Sequence, residues 1–129
     1  MKDNFSDKSE LYAKFRPSLP IELFDYLIEM VPARENAWDS ATGNGQSAYL
    51  ISNFFKQVYA TDISEEQLKN AAQSSNIHYS KQSAEQTDFE DNFFDLIVVS
   101  QAIHWFDFDR FFNEAKRVLK PNGILAVAG

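Results

Sequence analysis

A doubly wound parallel α/β sheet is the fold this sequence predicts, and three observations carry it. Short apolar runs alternate with amphipathic stretches along 129 residues. Two of those runs, Ala37-Trp38 and Val58-Tyr59-Ala60-Thr61, stop at an acidic residue, Asp39 and Asp62. A third, Leu96-Ile97-Val98-Val99, is continuously apolar, as expected of a strand covered on both faces. Strands alternating with helices imply a parallel sheet. Right-handed crossovers, with a glycine turn after the first strand, give the strand order 3-2-1-4-5.

Each element has its own signature along the chain. Residues 1–9 are polar, and Tyr12, Phe15, Arg16 and Pro17 form an aromatic-basic cluster. From Pro20, the positions Ile21, Phe24, Leu27, Ile28 and Val31 recur at helical spacing until Pro32 ends the helix. Ala37-Trp38 is the first strand; Ala48, Leu50, Ile51, Phe54 and Phe55 then mark a helix with one broad apolar face. After the second strand, Ser64-Glu65-Glu66-Gln67 is a capping box opening a helix that buries Leu68, Ala71 and Ala72. Ile77-His78-Tyr79 is a short third strand, and Phe93 to Ser100 holds the fourth. Asp107 caps a helix whose Phe108, Phe111, Phe112, Ala115, Val118 and Leu119 form one stripe, with Lys116 and Arg117 favourably placed in its last turn. Lys120-Pro121-Asn122-Gly123 is a turn, and Ile124 to Val127 is the fifth strand.

Composition narrows the function classes. The length suits one domain, and 44% hydrophobic residues, with twelve phenylalanines, suffice for a core. A net charge of −7 without a Lys/Arg cluster argues against nucleic acid. Cysteine is absent, and His78 and His104 stand far apart with no carboxylate at ligand spacing, so no metal is expected. No signal pattern opens the chain and no apolar run approaches about 18 residues, so no membrane is expected and the protein reads as cytoplasmic.

In such a sheet a ligand lies beyond the carboxyl ends of the strands, which nominates Asp39 to Gly45, Asp62, Ser83 to Glu85, and Ser100 to Trp105. Gly43 and Gly45, two of only four glycines, let a ligand approach the main chain closely. Asp62 follows Gly45 by 17 positions, near the spacing at which an acid takes ribose hydroxyls. Gly43-Asn44-Gly45-Gln46-Ser47-Ala48 alone also fits the G-x-G-x-x-A of NAD-binding domains, which keeps an NAD-dependent oxidoreductase fragment open.

The wider pattern is narrower in meaning. Asp39-Ser40-Ala41-Thr42-Gly43-Asn44-Gly45 resembles the first motif, D/E-x-G-x-G-x-G, of class I S-adenosylmethionine-dependent methyltransferases of the type 11-like group. Asp62 resembles the acidic second motif; Ser83-Ala84-Glu85, Phe94-Asp95-Leu96-Ile97 and Leu119-Lys120-Pro121-Asn122-Gly123-Ile124-Leu125 resemble the later ones in order and spacing, over residues 38–127. Tyr12-Ala13-Lys14-Phe15-Arg16-Pro17 and Gln101-Ala102-Ile103-His104-Trp105-Phe106 resemble a small-molecule subgroup that includes trans-aconitate methyltransferase-like proteins.

The resemblance implies a Rossmann-like S-adenosylmethionine-binding domain over residues 20–129, with residues 1–19 covering the cofactor site. It places Ala41, Gly43 and Gly45 against the methionine part, Asp39 near its ammonium group, Asp62 on the ribose and Ile63 on the adenine. It sets Ala84 and Glu85 at the adenine edge, Gln101 and Ala102 beneath the sulfonium, and Tyr12, Arg16 and Trp105 over the site. Where the family has glycine, this chain has Ala41, whose methyl group narrows the turn and is tolerable at negative φ. The implied reaction is in-line methyl transfer to a small-molecule acceptor, with His104 the candidate base. Family members continue into another helix and two further strands, so the chain reads as truncated before them, with the fifth-strand edge bare and open to self-association. A non-catalytic S-adenosylmethionine-binding or interaction module is the alternative.

Overall fold

The computed structural model describes residues 12–15, 21–31, 33–100 and 107–128, without the side chains of residues 12–15, 21–24, 100, 108 and 128. Its elements run β1 (Tyr12–Phe15), α1 (Ile21–Met30), β2 (Asn36–Ser40), α2 (Gln46–Ile51), β3 (Gln57–Asp62), α3 (Glu65–Lys69), β4 (Ile77–Lys81), β5 (Phe94–Ser100), α4 (Phe108–Val118) and β6 (Leu119–Ala128). The sheet order is β1-β6-β5-β2-β3-β4 and every pair is parallel. The five strands expected from the sequence therefore stand in the order 3-2-1-4-5, a Rossmann-like arrangement, with β1 added beside the last.

That addition corrects one expectation. The outer edge of β6 is not bare: Tyr12 to Phe15 pair with Leu125 to Ala128 and satisfy its backbone groups. Four residues are too few for their alternation to announce a strand.

Strand periodicity divides the core in two. One face carries Ala37, Val58, Ala60, Ile77, Leu96 and Val98 against Leu27, Ile28 and Val31 of the α1 region and Ala48 and Ile51 of α2. The other carries Trp38, Ile97, Val99 and Leu125 against Phe111, Phe112, Ala115 and Val118 of α4. Trp38 is fully buried, 5.8 Å from the Phe94 ring and 5.4 Å from the Phe89 ring, and its Nε1–H donates to Thr61 Oγ1 at 3.0 Å. Buried indole N–H groups need such a partner.

The helices are shorter than their apolar patterns suggested. α2 stops at Ile51 because Ser52 Oγ and Asn53 Nδ2 donate to the Tyr49 carbonyl, and Phe54 N–H turns to Ile51 O in a tighter i→i+3 bond. Phe55 still reaches the core. α3 ends at Lys69, so buried Ala71 lies beyond it; its cap is as expected, Ser64 Oγ accepting from Gln67 N–H. Asp107 caps α4 in the same way, accepting from Arg110 N–H.

β6 begins earlier than the isolated turn expected at Lys120 to Gly123. Phe94 pairs with Leu119 and Leu96 with Ile124, so those four residues bulge opposite Asp95. Asp95 is fully buried there; its Oδ2 accepts Glu35 and Asn36 N–H at 3.0 and 3.1 Å, and its Oδ1 lies 2.9 Å from Lys120 Nζ. This carboxylate fixes the amino ends of β2 and β5 to the bulge. Asp95→Ala strands the partly buried Lys120 charge and two amides, and is expected to lower stability by about 3 kcal/mol in urea denaturation; a change below about 1 kcal/mol would show that the clasp is dispensable.

Candidate functional site

All strands being parallel, the carboxyl ends of β2, β3, β4 and β5 lie along one edge of the sheet, and the chain crosses from β3 and β4 on one side of β2 to β5 on the other. The turn after β2 sits at this crossing. Ala41, Gly43 and Gly45 all have left-handed backbone, with φ of 58°, 59° and 81°. Glycine adopts that conformation freely. Ala41 does not meet the negative-φ condition under which its methyl group is tolerable; left-handed backbone costs a non-glycine residue roughly 1–2 kcal/mol. A Cβ at Gly43 would meet open space, whereas one at Gly45 would collide with the Tyr79 hydroxyl.

Two carboxylates organise the turn. Asp62 Oδ2 accepts Gly43 N–H and its Oδ1 accepts Ser64 N–H, each at 2.9 Å. One side chain thus ties the turn to the end of β3, and each oxygen retains a lone pair for a further donor. Beyond it Ile63 is 70% exposed, a large apolar side chain with little cover.

Asp39 is different. It is fully buried, its Oδ2 accepts Thr42 Oγ1–H at 2.7 Å, and its Oδ1 has no hydrogen-bond partner among the described residues. Buried Ser40 Oγ, next along the strand, also lacks one among them. Burial pushes the Asp39 carboxyl up to about 7; Thr42 and the Ala48 amide oppose the rise, and the Asp62 charge adds to it.

Tyr79 completes the floor and was not legible as a site residue. Rung by rung, Asp39 pairs with Ala60 and Ala60 with Tyr79, so all three share a face and the small Ala60 leaves room for the phenol. The Tyr79 hydroxyl donates to Ala72 O, and Ala72 N–H donates to Asn44 O at 3.0 Å, fastening the α3–β4 connection under the turn. Burial and the Asp39 charge both raise its pKa.

The rim continues at Ser83 to Gln86, which close a small antiparallel bridge. Ala84 is buried in the α4-side core, so only its backbone faces outward, and Glu85 Oε2 accepts Asp107 N–H at 3.1 Å. Behind this loop Glu114 accepts Thr87 N–H and Oγ1–H and pairs with Arg117, which also holds Asp91. Burial would raise the Glu114 pKa, but the bonds from Arg117 and Thr87 outweigh it and leave it lowered.

Of the nominated residues, the sheet edge thus gathers Asp39, Ala41, Gly43, Gly45, Asp62, Ile63, Ala84 and Glu85. Tyr12 lies on β1 with its side chain undescribed, and Arg16, Gln101, Ala102, His104 and Trp105 lie outside the described residues. His78 contacts Gln57 on the exposed surface of β4. A shallow cavity of about 260 Å³ lined by Ala33, Asn92, Asp95 and Lys120 lies at the opposite strand ends, where Asp95 is already ion-paired with Lys120.

Residues 38–127 match the family described as the methyltransferase domain. The chain belongs to that family. A methyltransferase-named protein of Dictyostelium discoideum is 35% identical over 126 residues, covering 97% of this chain and 48% of its own length. The Saccharomyces cerevisiae protein CRG1, whose name cites S-adenosylmethionine-dependent methyl transfer, is 24% identical over 132 residues, 95% of this chain and 45% of that protein. A solved Anaeromyxobacter dehalogenans structure, titled for a type II methyltransferase, has a TM-score of 0.80 at 38% identity, with 88% of this chain and 48% of that one covered. The chain spans about half the length of the curated relatives it matches. The match sets aside the nicotinamide reading of the glycine turn. Among the described residues of this methyltransferase domain, no helix is long and apolar enough to cross a membrane.

Asp39 holds more proton in the folded than in the unfolded chain between its ordinary 3.8 and about 7. Its ionisation therefore costs little stability at pH 4, an increasing amount as pH rises to 7, and a constant amount above. Asp39→Asn is expected to match the parent's stability at pH 4 and to exceed it at pH 8 by about 4 kcal/mol, at 1.4 kcal/mol per pKa unit; denaturation curves showing a pH-independent difference would contradict this. Ala41→Gly is expected to add about 1 kcal/mol by relieving the left-handed alanine, read as a higher urea midpoint with an unchanged slope.

Proposed function

We propose that this chain is the cofactor-binding part of an S-adenosylmethionine-dependent methyltransferase acting on a small molecule. The single observation that carries the reading is the pair of carboxylates around a left-handed turn: Asp39 buried with an unpaired oxygen, Asp62 fixed on two amides with lone pairs to spare. The methyl donor offers one partner to each. Asp39 Oδ1 would accept from the donor's ammonium group, and Asp62 would accept from its two ribose hydroxyls. Exposed Ile63 would offer an apolar surface to adenine, and the backbone of Ala84 and the Glu85 side chain would hold its edge. Ala41 and Gly43, both half-buried, leave main chain toward the methionine segment, while Gly45 is buried and sets the turn against Tyr79. The name of the yeast relative supports the same donor.

When bound, the donor supplies a methyl group already activated on sulfur. The protein's part is to orient donor and acceptor in line and exclude water, which accounts for much of the acceleration available to such a transfer. The family resemblance implies Gln101 and Ala102 beneath the sulfonium and Tyr12, Arg16 and Trp105 over the site, and His104 is the candidate for proton removal from an acceptor that must lose one. An aromatic face near the sulfonium would contribute about 0.5–2 kcal/mol.

Calorimetry tests the reading. S-adenosylmethionine and S-adenosylhomocysteine are expected to bind saturably and NAD not to bind; absence of binding by both sulfur nucleosides would overturn it. Asp62→Ala is expected to weaken S-adenosylhomocysteine by about 1.5–3 kcal/mol, the scale of hydrogen bonds to a charged group. Product detection with an acceptor panel separates an enzyme from a binding module.

A further inference from the structure

With a sulfur nucleoside as the ligand, as proposed for this site, the surroundings of Asp39 govern how the ligand's charged end is received. Among the described residues, the elements around this carboxyl offer it either nothing charged or a negative charge. From β3 comes Asp62; from β4, the Tyr79 phenol; from β5, the apolar rung partner Val98; from the turn, the Thr42 hydroxyl; and from α2, the backbone amide of Ala48. The apolar cluster that holds the Asp39 rung partners Ala60 and Val98 also holds Leu27, Ile28 and Val31 of the α1 region, none of them charged. No lysine, arginine or histidine among the described residues pairs with it, in contrast to Asp95, which has Lys120. A fully buried carboxylate with one unsatisfied oxygen and an acidic neighbour is strongly disfavoured, so its neutral acid form is the one the unliganded site supports.

We propose that Asp39 receives the ligand's ammonium group by exchange for its own proton, so that binding an amino-acid-bearing nucleoside releases one proton to solvent. The balance is simple. The carboxylic O–H bond breaks and its proton passes to water; the ammonium keeps its three protons and donates to the carboxylate left behind. The site thereby reads the charge of the amino-acid end, and the acidity of the medium sets its affinity. With the free acid near 7, affinity is expected to fall about tenfold between pH 8 and pH 6.

Two probes and one method decide it: S-adenosylhomocysteine and 5′-methylthioadenosine, which lacks the amino-acid end, titrated calorimetrically in buffers of low and high ionisation enthalpy. S-adenosylhomocysteine is expected to release close to one proton at pH 6 and close to none at pH 8, while 5′-methylthioadenosine releases none at either. With Asp39→Asn the release at pH 6 disappears. If S-adenosylhomocysteine binds at pH 6 without proton release, Asp39 stays protonated in the complex and the proposal is wrong. Equal release by both probes would place the titrating group elsewhere, with the same consequence. Failure of both to bind at any pH overturns the sulfur-nucleoside reading, and this proposal with it.

Discussion

The position of β2 is the constraint on which the rest depends. It has β3 hydrogen-bonded on one edge and β5 on the other, and Ala37, Trp38, Asp39 and Ser40 are fully buried between two helical layers. A strand so enclosed can meet a ligand only at its end. The chain leaves that end for β3 and later returns to β5 on the opposite side, so the connections above it part and leave a crevice. The left-handed turn at Ala41 to Gly45 lies in that crevice because it is there that the sheet opens.

Two buried aspartates show how one sheet separates folding from binding. Asp95, at the amino ends, has a lysine and two amides and holds β2, β5 and the β6 bulge together. Asp39, at the carboxyl end of the central strand, has a hydroxyl and an unpaired oxygen. The first is an ion pair already made; the second is a carboxyl whose charge is unfavourable until a cationic ligand supplies its partner. Stability withheld at a site and recovered on binding is a recurrent arrangement in proteins. The strained Ala41 backbone beside it is of the same kind.

Much of this was legible in the sequence, for identifiable reasons. The acid-terminated runs at Asp39 and Asp62 and the apolar run at Leu96 to Val99 marked the central strands, and handedness ordered them. Ser64 and Asp107 announced their helix caps because capping is local chemistry. What escaped was non-local or competitive. Tyr79 reaches Gly45 only because the register brings Ala60 between it and Asp39. The early end of α2 depends on Ser52 and Asn53 side chains competing with the helix for the Tyr49 carbonyl. β1 owes its existence to a partner more than a hundred residues away. The positive φ of Ala41 is set by the turn as a whole, not by alanine.

Whether a sulfur nucleoside sits in the turn between Asp39 and Asp62 is tested most directly by amide ¹H–¹⁵N spectra recorded while S-adenosylhomocysteine is titrated into the protein. A ligand held there is expected to produce saturable shifts of the Gly43, Gly45, Asp62, Ile63 and Glu85 amides, with Asn92 and Lys120 at the far strand ends unmoved. Shifts confined to those far ends, with the glycine turn silent, would contradict that placement.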